Sequence, residues 1–192
     1  HGSDKAFINN LDSLFVVEGD LGEGAPPDIS GMIGQYAHGN EPAHHVPYMY
    51  AYAGAQYKTA SWVRKLQERF YTDEPDGYCG NEDCGQMSAW HVMSALGFYQ
   101  VNPSNGVFVF GSPSFSKAKV NLSNGKTFTV IAKGNSDKNV YINSAKLNGK
   151  PYQNSYITYE DIMRGGTLEF VMSSTPNKNF GKAKQHRPVS AE

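Results

Sequence analysis

In residues 86–110, QMSAWHVMSALGFYQVNPSNGVFVF, the hydrophobic period changes. Up to Leu96 the apolar residues Met87, Trp90, Val92, Met93, Ala95 and Leu96 recur at helical spacing, and Gly97 marks a helix end. Beyond Pro103, GVFVFG alternates with the period of two that belongs to strands. Pro103 is thus read as the point where helices give way to strands. The predicted class is α+β, with helices first and an antiparallel sheet after them.

The segments on either side fit this division. Asp4 can cap a helix whose apolar positions are Phe7, Ile8, Leu11, Leu14 and Phe15. Residues 16–31 are rich in Gly and Pro and read as a loop. Pro47 suits the first turn of a helix in the aromatic stretch 44–57, and Thr59 can cap the next one, with Trp62, Val63, Leu66 and Phe70 on one stripe. After Pro103 come the short strands GVFVFG, KAKVNL, KTFTVIA, NVYIN, SAKLNGKPY and TLEFVM. The Asn-Gly pairs at 124–125 and 148–149 are hairpin signals. TYEDIMRGG reads as one capped helical turn between strands, and the polar residues from Asn177 onward read as a loosely held tail. The predicted division is 1–103 helical, 104–176 antiparallel β and 177–192 tail.

Composition excludes some function classes. The formal net charge of -1 gives no pull toward nucleic acid or an anionic membrane, and no apolar run reaches the roughly 20 residues of a membrane span. Cys79 and Cys84 are the two cysteines; their spacing is not a zinc pattern, and a short-loop disulfide and two free buried thiols both stay open.

Two loop-to-helix corners carry the chemistry. Gly80-Asn81-Glu82-Asp83 places two acids between glycines, where a helix begins. Capping is one reading, with Asp83 or Ser88 accepting the first helical amides. The other is a carboxylate pair for acid/base work, since flanking glycines admit a ligand close to the backbone. Gly39-Asn40-Glu41 repeats the pattern beside His38, His44 and His45. Its oxygen donors suit a hard cation such as calcium, whereas His44 and His45 are adjacent and point about 100° apart on a helix, which disfavours zinc.

The stretches GQYAHGNEPAHHVPYMYAY, GNEDCGQMSAWHVMSALGFYQVNP and LNGKPYQNSYITYEDIMRGGTLEFVMS resemble the C-terminal part of glycoside hydrolase family 92, the calcium-dependent exo-acting α-mannosidases. The resemblance implies an N-terminal β-sandwich and an (α/α)6 barrel with the site between them. The helices here are then the last part of the barrel. It implies inversion at the anomeric carbon, with an acid protonating the leaving oxygen and a carboxylate activating water on the opposite face. Asp83 matches the family's general base. Asn81 stands where many members have a second carboxylate, so it can hydrogen-bond the water but cannot take its proton. Asn40 and Glu41 match positions around calcium and the terminal mannose; Glu41, Glu82 and His44 are the expected substrate contacts. The ion would bind the sugar's 2- and 3-hydroxyls and help distort the ring.

The family's general acid lies upstream of Gly39 in a segment not found here. The expectation is therefore a mannosidase fragment, inactive alone, whose partners are the rest of the enzyme and mannose-containing oligosaccharides or glycoprotein glycans, with α-1,2 bonds the first expectation. The resemblance also implies a periplasmic or secreted setting. The alternative is a non-catalytic carbohydrate-binding or structural module, with Phe108, Phe110, Tyr141, Tyr152, Tyr156 and Tyr159 as an aromatic platform.

Overall fold

The computed structural model describes residues 1–18 and 29–189. The first helix, α1, runs Asp4–Val16 and is capped by the Ser3 hydroxyl, one residue before the expected Asp4. Its stripe buries Leu11 and Phe15. A two-residue hairpin follows, β1 (Met32–Ile33) with β2 (Tyr36–Ala37). Pro47 then opens a short 3-10 turn, Val46–Tyr48, that runs into α2 (Met49–Tyr52). The next helix, α3, spans Gln56–Phe70, so Thr59 lies buried inside it rather than capping it. The last long helix, α4, spans Gln86–Leu96 and ends at Gly97 with φ +104°, as a left-handed C-cap requires.

Strands begin before Pro103, not after it: β3 is Phe98–Asn102. It joins β4 (Val107–Phe110) and β9 (Tyr156–Thr158) in a three-stranded sheet. A five-stranded sheet takes β5 (Lys117–Asn121), β6 (Thr127–Lys133), β7 (Tyr141–Leu147), β8 (Lys150–Tyr152) and β10 (Gly166–Ser173) in the order β5-β6-β10-β7-β8. The expected single-turn helix is α5, Tyr159–Met163, capped by the Thr158 hydroxyl.

One feature departs from the antiparallel expectation: β10 inserts between β6 and β7 and pairs with β6 in parallel, Gly166 opposite Phe128 through Val171 opposite Lys133. A strand reached by a long connection can enter either way, and local alternation does not specify which. Leu168, Phe170 and Met172 of β10 face the core, while Glu169 on the other face pairs with Lys133 at 2.7 Å.

Two cores result. The sheet core gathers Phe98, Phe110, Phe128, Val130, Leu168 and Phe170; the helical core gathers Phe15, Tyr36, Tyr48, Tyr50, Leu66 and Trp90. Strand β4 serves both, because successive side chains point to opposite faces: Val109 enters the helical core and Phe110 the sheet core. Gln56 of α3 locks the junction by donating to the Phe110 and Gly111 carbonyls at 3.2 and 2.9 Å.

Phe110 is fully buried, and Phe108 and Tyr152 pack against the sheet core, which removes half of the aromatic platform that a binding module would need. Residues 177–189 are pinned, contrary to the loose tail expected. Phe180 is buried, Ser155 donates its amide to the His186 carbonyl at 2.8 Å, and Arg187 pairs with Asp4 at 2.8 Å.

Candidate active-site corners

The two Gly-Asn-Glu corners, far apart in sequence, meet back to back. A Cβ on Gly80 would stand 3.0 Å from both the Cα and the carbonyl oxygen of Gly39, and one on Gly39 would overlap the Cys79 carbonyl and the Ser30 hydroxyl. Only glycine allows backbones this close. Ser30 stitches the contact: its hydroxyl donates to the Cys79 carbonyl at 2.6 Å, and its own carbonyl accepts the Gly39 amide at 3.1 Å. Asn40 and Asn81 each follow one of the abutting glycines, so the corners form one region of the surface.

In the second corner the acids divide their work. The N-cap position of α4 is Gly85, and the side chain that accepts from the first helical turn is Glu82 rather than Asp83 or Ser88. Its two oxygens take the Ser88 amide at 3.2 Å and the Ser88 hydroxyl at 2.8 Å. Hydrogen bonds from the Tyr78 hydroxyl and then from Ser88 hold its carboxyl below the usual range.

Asp83 is exposed, and its carboxylate makes no hydrogen bond or ion pair among the described residues. Its backbone is left-handed at φ +44°, followed by Cys84 at +58° and Gly85 at +91°. Two consecutive non-glycine residues in this region cost on the order of 1–3 kcal/mol each, and such strain persists only where surrounding contacts impose it. Cys79 and Cys84 are free thiols, Cys84 exposed and Cys79 half-buried, with burial pushing the Cys79 thiol up.

In the first corner Asn40 is exposed and precedes a 3-10 turn, Glu41–Ala43, without capping it. Glu41 is partly exposed, yet its Oε1 is buried and has no partner. A carboxylate oxygen in that state fits a cation or a hydroxyl donor.

His44, expected against substrate, is buried and holds the corners together. Gln86 Nε2 donates to His44 Nδ1 at 3.0 Å and to the Tyr99 hydroxyl at 3.0 Å; His44 Nε2 donates to the His38 carbonyl at 2.9 Å. Trp90 Nε1 donates to the His44 carbonyl at 3.0 Å. Both ring nitrogens of His44 are therefore taken by protein.

Beneath lies a neutral chain. The Tyr36 hydroxyl donates to His38 Nδ1 at 2.9 Å, His38 Nε2 donates to the Tyr71 hydroxyl at 2.8 Å, and Tyr71 donates to the Met87 carbonyl at 3.2 Å. Burial, then His44 and His91, pushes His38 down to about 3. Gln86, Tyr71 and Ser30 were not singled out from the sequence; the position of Gln86 at the first turn of α4, three residues past Asp83, was the available signal.

The chain as a whole is similar to known proteins. Residues 1–174 match the glycosyl hydrolase family 92 catalytic domain. A family GH92 α-mannosidase from Bacteroides thetaiotaomicron, solved in complex with mannoimidazole, is 44% identical with TM-score 0.92, over 97% of this chain and 24% of its own. A family GH92 inverting mannosidase from the same organism is 37% identical with TM-score 0.85, over 98% of this chain and 27% of its own. A protein described as an uncharacterized secreted glycosidase from Arthroderma benhamiae is 33% identical over 155 residues, 79% of this chain and 20% of that protein. The chain thus spans about a fifth to a quarter of the length of these relatives. With identity this high along nearly its whole length, the chain belongs to glycosyl hydrolase family 92.

Proposed function

We propose that this chain forms the water-activating side of the active site of an inverting exo-α-mannosidase. The observation that carries this reading is the glycine contact, which brings Asn40 and Glu41 beside a corner whose Asp83 carboxylate is exposed and uncommitted. Asp83 is the general base, taking a proton from the water that attacks the anomeric carbon. Asn81 hydrogen-bonds that water. Glu41 and Asn40 seat the terminal mannose, while Glu82 and His44 support the site through the first turn of α4 and the strut between corners. The strained turn and the close glycine contact fix the backbone from which the Asp83 carboxylate projects.

Calcium fits the first corner through Asn40 and Glu41, whose buried Oε1 lacks a partner. The described residues hold no group of three or more His, Cys, Asp and Glu able to bind a metal. A bound calcium ion would contribute positive charge for the vicinal hydroxyls of the sugar.

The helices of residues 1–103 are then the last part of an (α/α)6 barrel, with 104–176 as the attached β segment and 177–192 as a polar tail. The general acid comes from the rest of the enzyme, upstream of Gly39, and the chain alone is inactive. The substrates are terminal α-mannosides of glycans, α-1,2 bonds first, met outside the cytoplasm as in the secreted relative; no helix among the described residues is long and apolar enough to cross a membrane.

Proton NMR of the product tests the reaction type, using a longer protein that carries this segment together with the upstream acid. β-Mannose appears first if the reading holds, and α-mannose first contradicts it. Loss of turnover on chelation, restored by calcium, tests the metal.

A further inference from the structure

A cleft that shares no residue with either corner gathers cations from both ends of the chain. Lys5 of α1 and Lys178, Lys182 and Arg187 of the C-terminal segment line it, with Ile8 and Tyr57 as apolar wall and Gly54 in the floor. The only carboxylate in the lining is Asp4, which pairs with Arg187 Nη1 at 2.8 Å. Lys5, Lys178 and Lys182 have no ion-pair partner among the described residues. Three uncompensated cations in one cleft are unexpected in a chain whose formal net charge is -1.

Arg187 is fixed before any ligand arrives. Its Nε donates to the Lys182 carbonyl at 2.9 Å and its Nη1 to Asp4, while Nη2 has no hydrogen bond among the described residues. Gly54 has φ +75°, and a Cβ there would stand 2.9 Å from Nη2; the missing side chain leaves that nitrogen room. A planar donor held in place, in a cleft also lined by three lysines, matches the oxygens of a tetrahedral anion.

We infer that this cleft binds a tetrahedral oxyanion, a phosphate or sulfate group, either free or carried on a sugar. The apolar wall of Ile8 and Tyr57 faces the carbon part of a carried group. This site is independent of the proposed hydrolysis and stands or falls separately from it.

The test is an NMR titration of the chain with sodium phosphate at constant ionic strength, with sodium chloride as the control. Saturable shifts of the Gly54, Ala55 and Lys182 amides are expected, with half-saturation at about 1 mM. Lys178→Gln with Lys182→Gln weakens binding about tenfold or more. Both side chains are exposed, so the rest of the spectrum stays in place; the single Lys178→Gln variant gives the same comparison if it does not. Glucose 6-phosphate, against glucose, distinguishes the sources: tighter binding than phosphate assigns a sugar-carried group, and equal binding assigns a free one. Shifts that grow linearly, that chloride reproduces, or that the double substitution leaves unchanged overturn the inference.

Discussion

The sheet half and the helical half of the chain treat their costs in opposite ways. In the sheet half the tight turns use residues suited to them. Asn148 and Gly149 both have positive φ, +50° and +80°, as a two-residue hairpin demands, and a Cβ on Gly149 would meet nothing. The core there is apolar. In the helical half, left-handed backbone falls on Asp83 and Cys84, and the interior holds His38, His44, Gln56, Thr59, Arg64, Gln67 and Ser94. Among the described residues, only Ser112 and Ser155 of the buried polar residues lie beyond α4. Strain and buried polarity are thus concentrated on the side that presents the two corners, which is where a fold that gives up stability for a site would place them.

Acid should break the comparison most strongly. Folded His38 titrates at about 3, well below the ordinary 6.5, so the unfolded chain binds the proton more tightly. The stability tied to neutral His38 is complete above about pH 6.5 and is lost as pH falls from there toward 3, amounting to a few kcal/mol. Burial also lowers His44 and His91, which adds loss in the same direction. Both tryptophans, Trp62 and Trp90, lie in the helical half. Their fluorescence should therefore show a lower urea midpoint at pH 4 than at pH 7, and a midpoint independent of pH would remove the account of His38.

Glycine substitutions sharpen the contrast. Gly39→Ala forces backbone against backbone and should cost about 3 kcal/mol by urea unfolding, together with loss of the corner geometry. Gly149→Ala, with the same added methyl in open space, should cost only about 1 kcal/mol through its positive φ. Equal costs would mean that the two corners are not held by close backbone approach. The smallest effect is a gain: Cys84→Gly relieves a left-handed residue and should add about 0.5–1 kcal/mol, provided the conformation here is imposed from outside.

Much of this arrangement was legible in sequence because it is local. Helical spacing gave α1, α3 and α4, alternation gave β4, β5, β6, β7, β8 and β10, and Asn-Gly gave the turn at Asn148; the short strands β1, β2, β3 and β9 were not read from the sequence. What depended on distant partners was hidden. The parallel insertion of β10 is settled by pairing partners some 40 residues away. The anchoring of the tail rests on Phe180 finding the sheet core and Arg187 finding Asp4 at the other end of the chain. The paired triplets were visible as text, but that Gly39 and Gly80 touch was not, because contact between glycines leaves no hydrophobic pattern. Glu82 rather than Asp83 accepts from the first turn of α4 across a left-handed run, and that run has only one glycine to announce it.

The central claim, that Asp83 is the base presented by the joined corners, is tested most directly by Asp83→Asn in an active enzyme that contains this segment. The account predicts that kcat falls by about 10³-fold while KM stays within about threefold, since the amide keeps the shape but cannot take the proton. An undiminished kcat would contradict it.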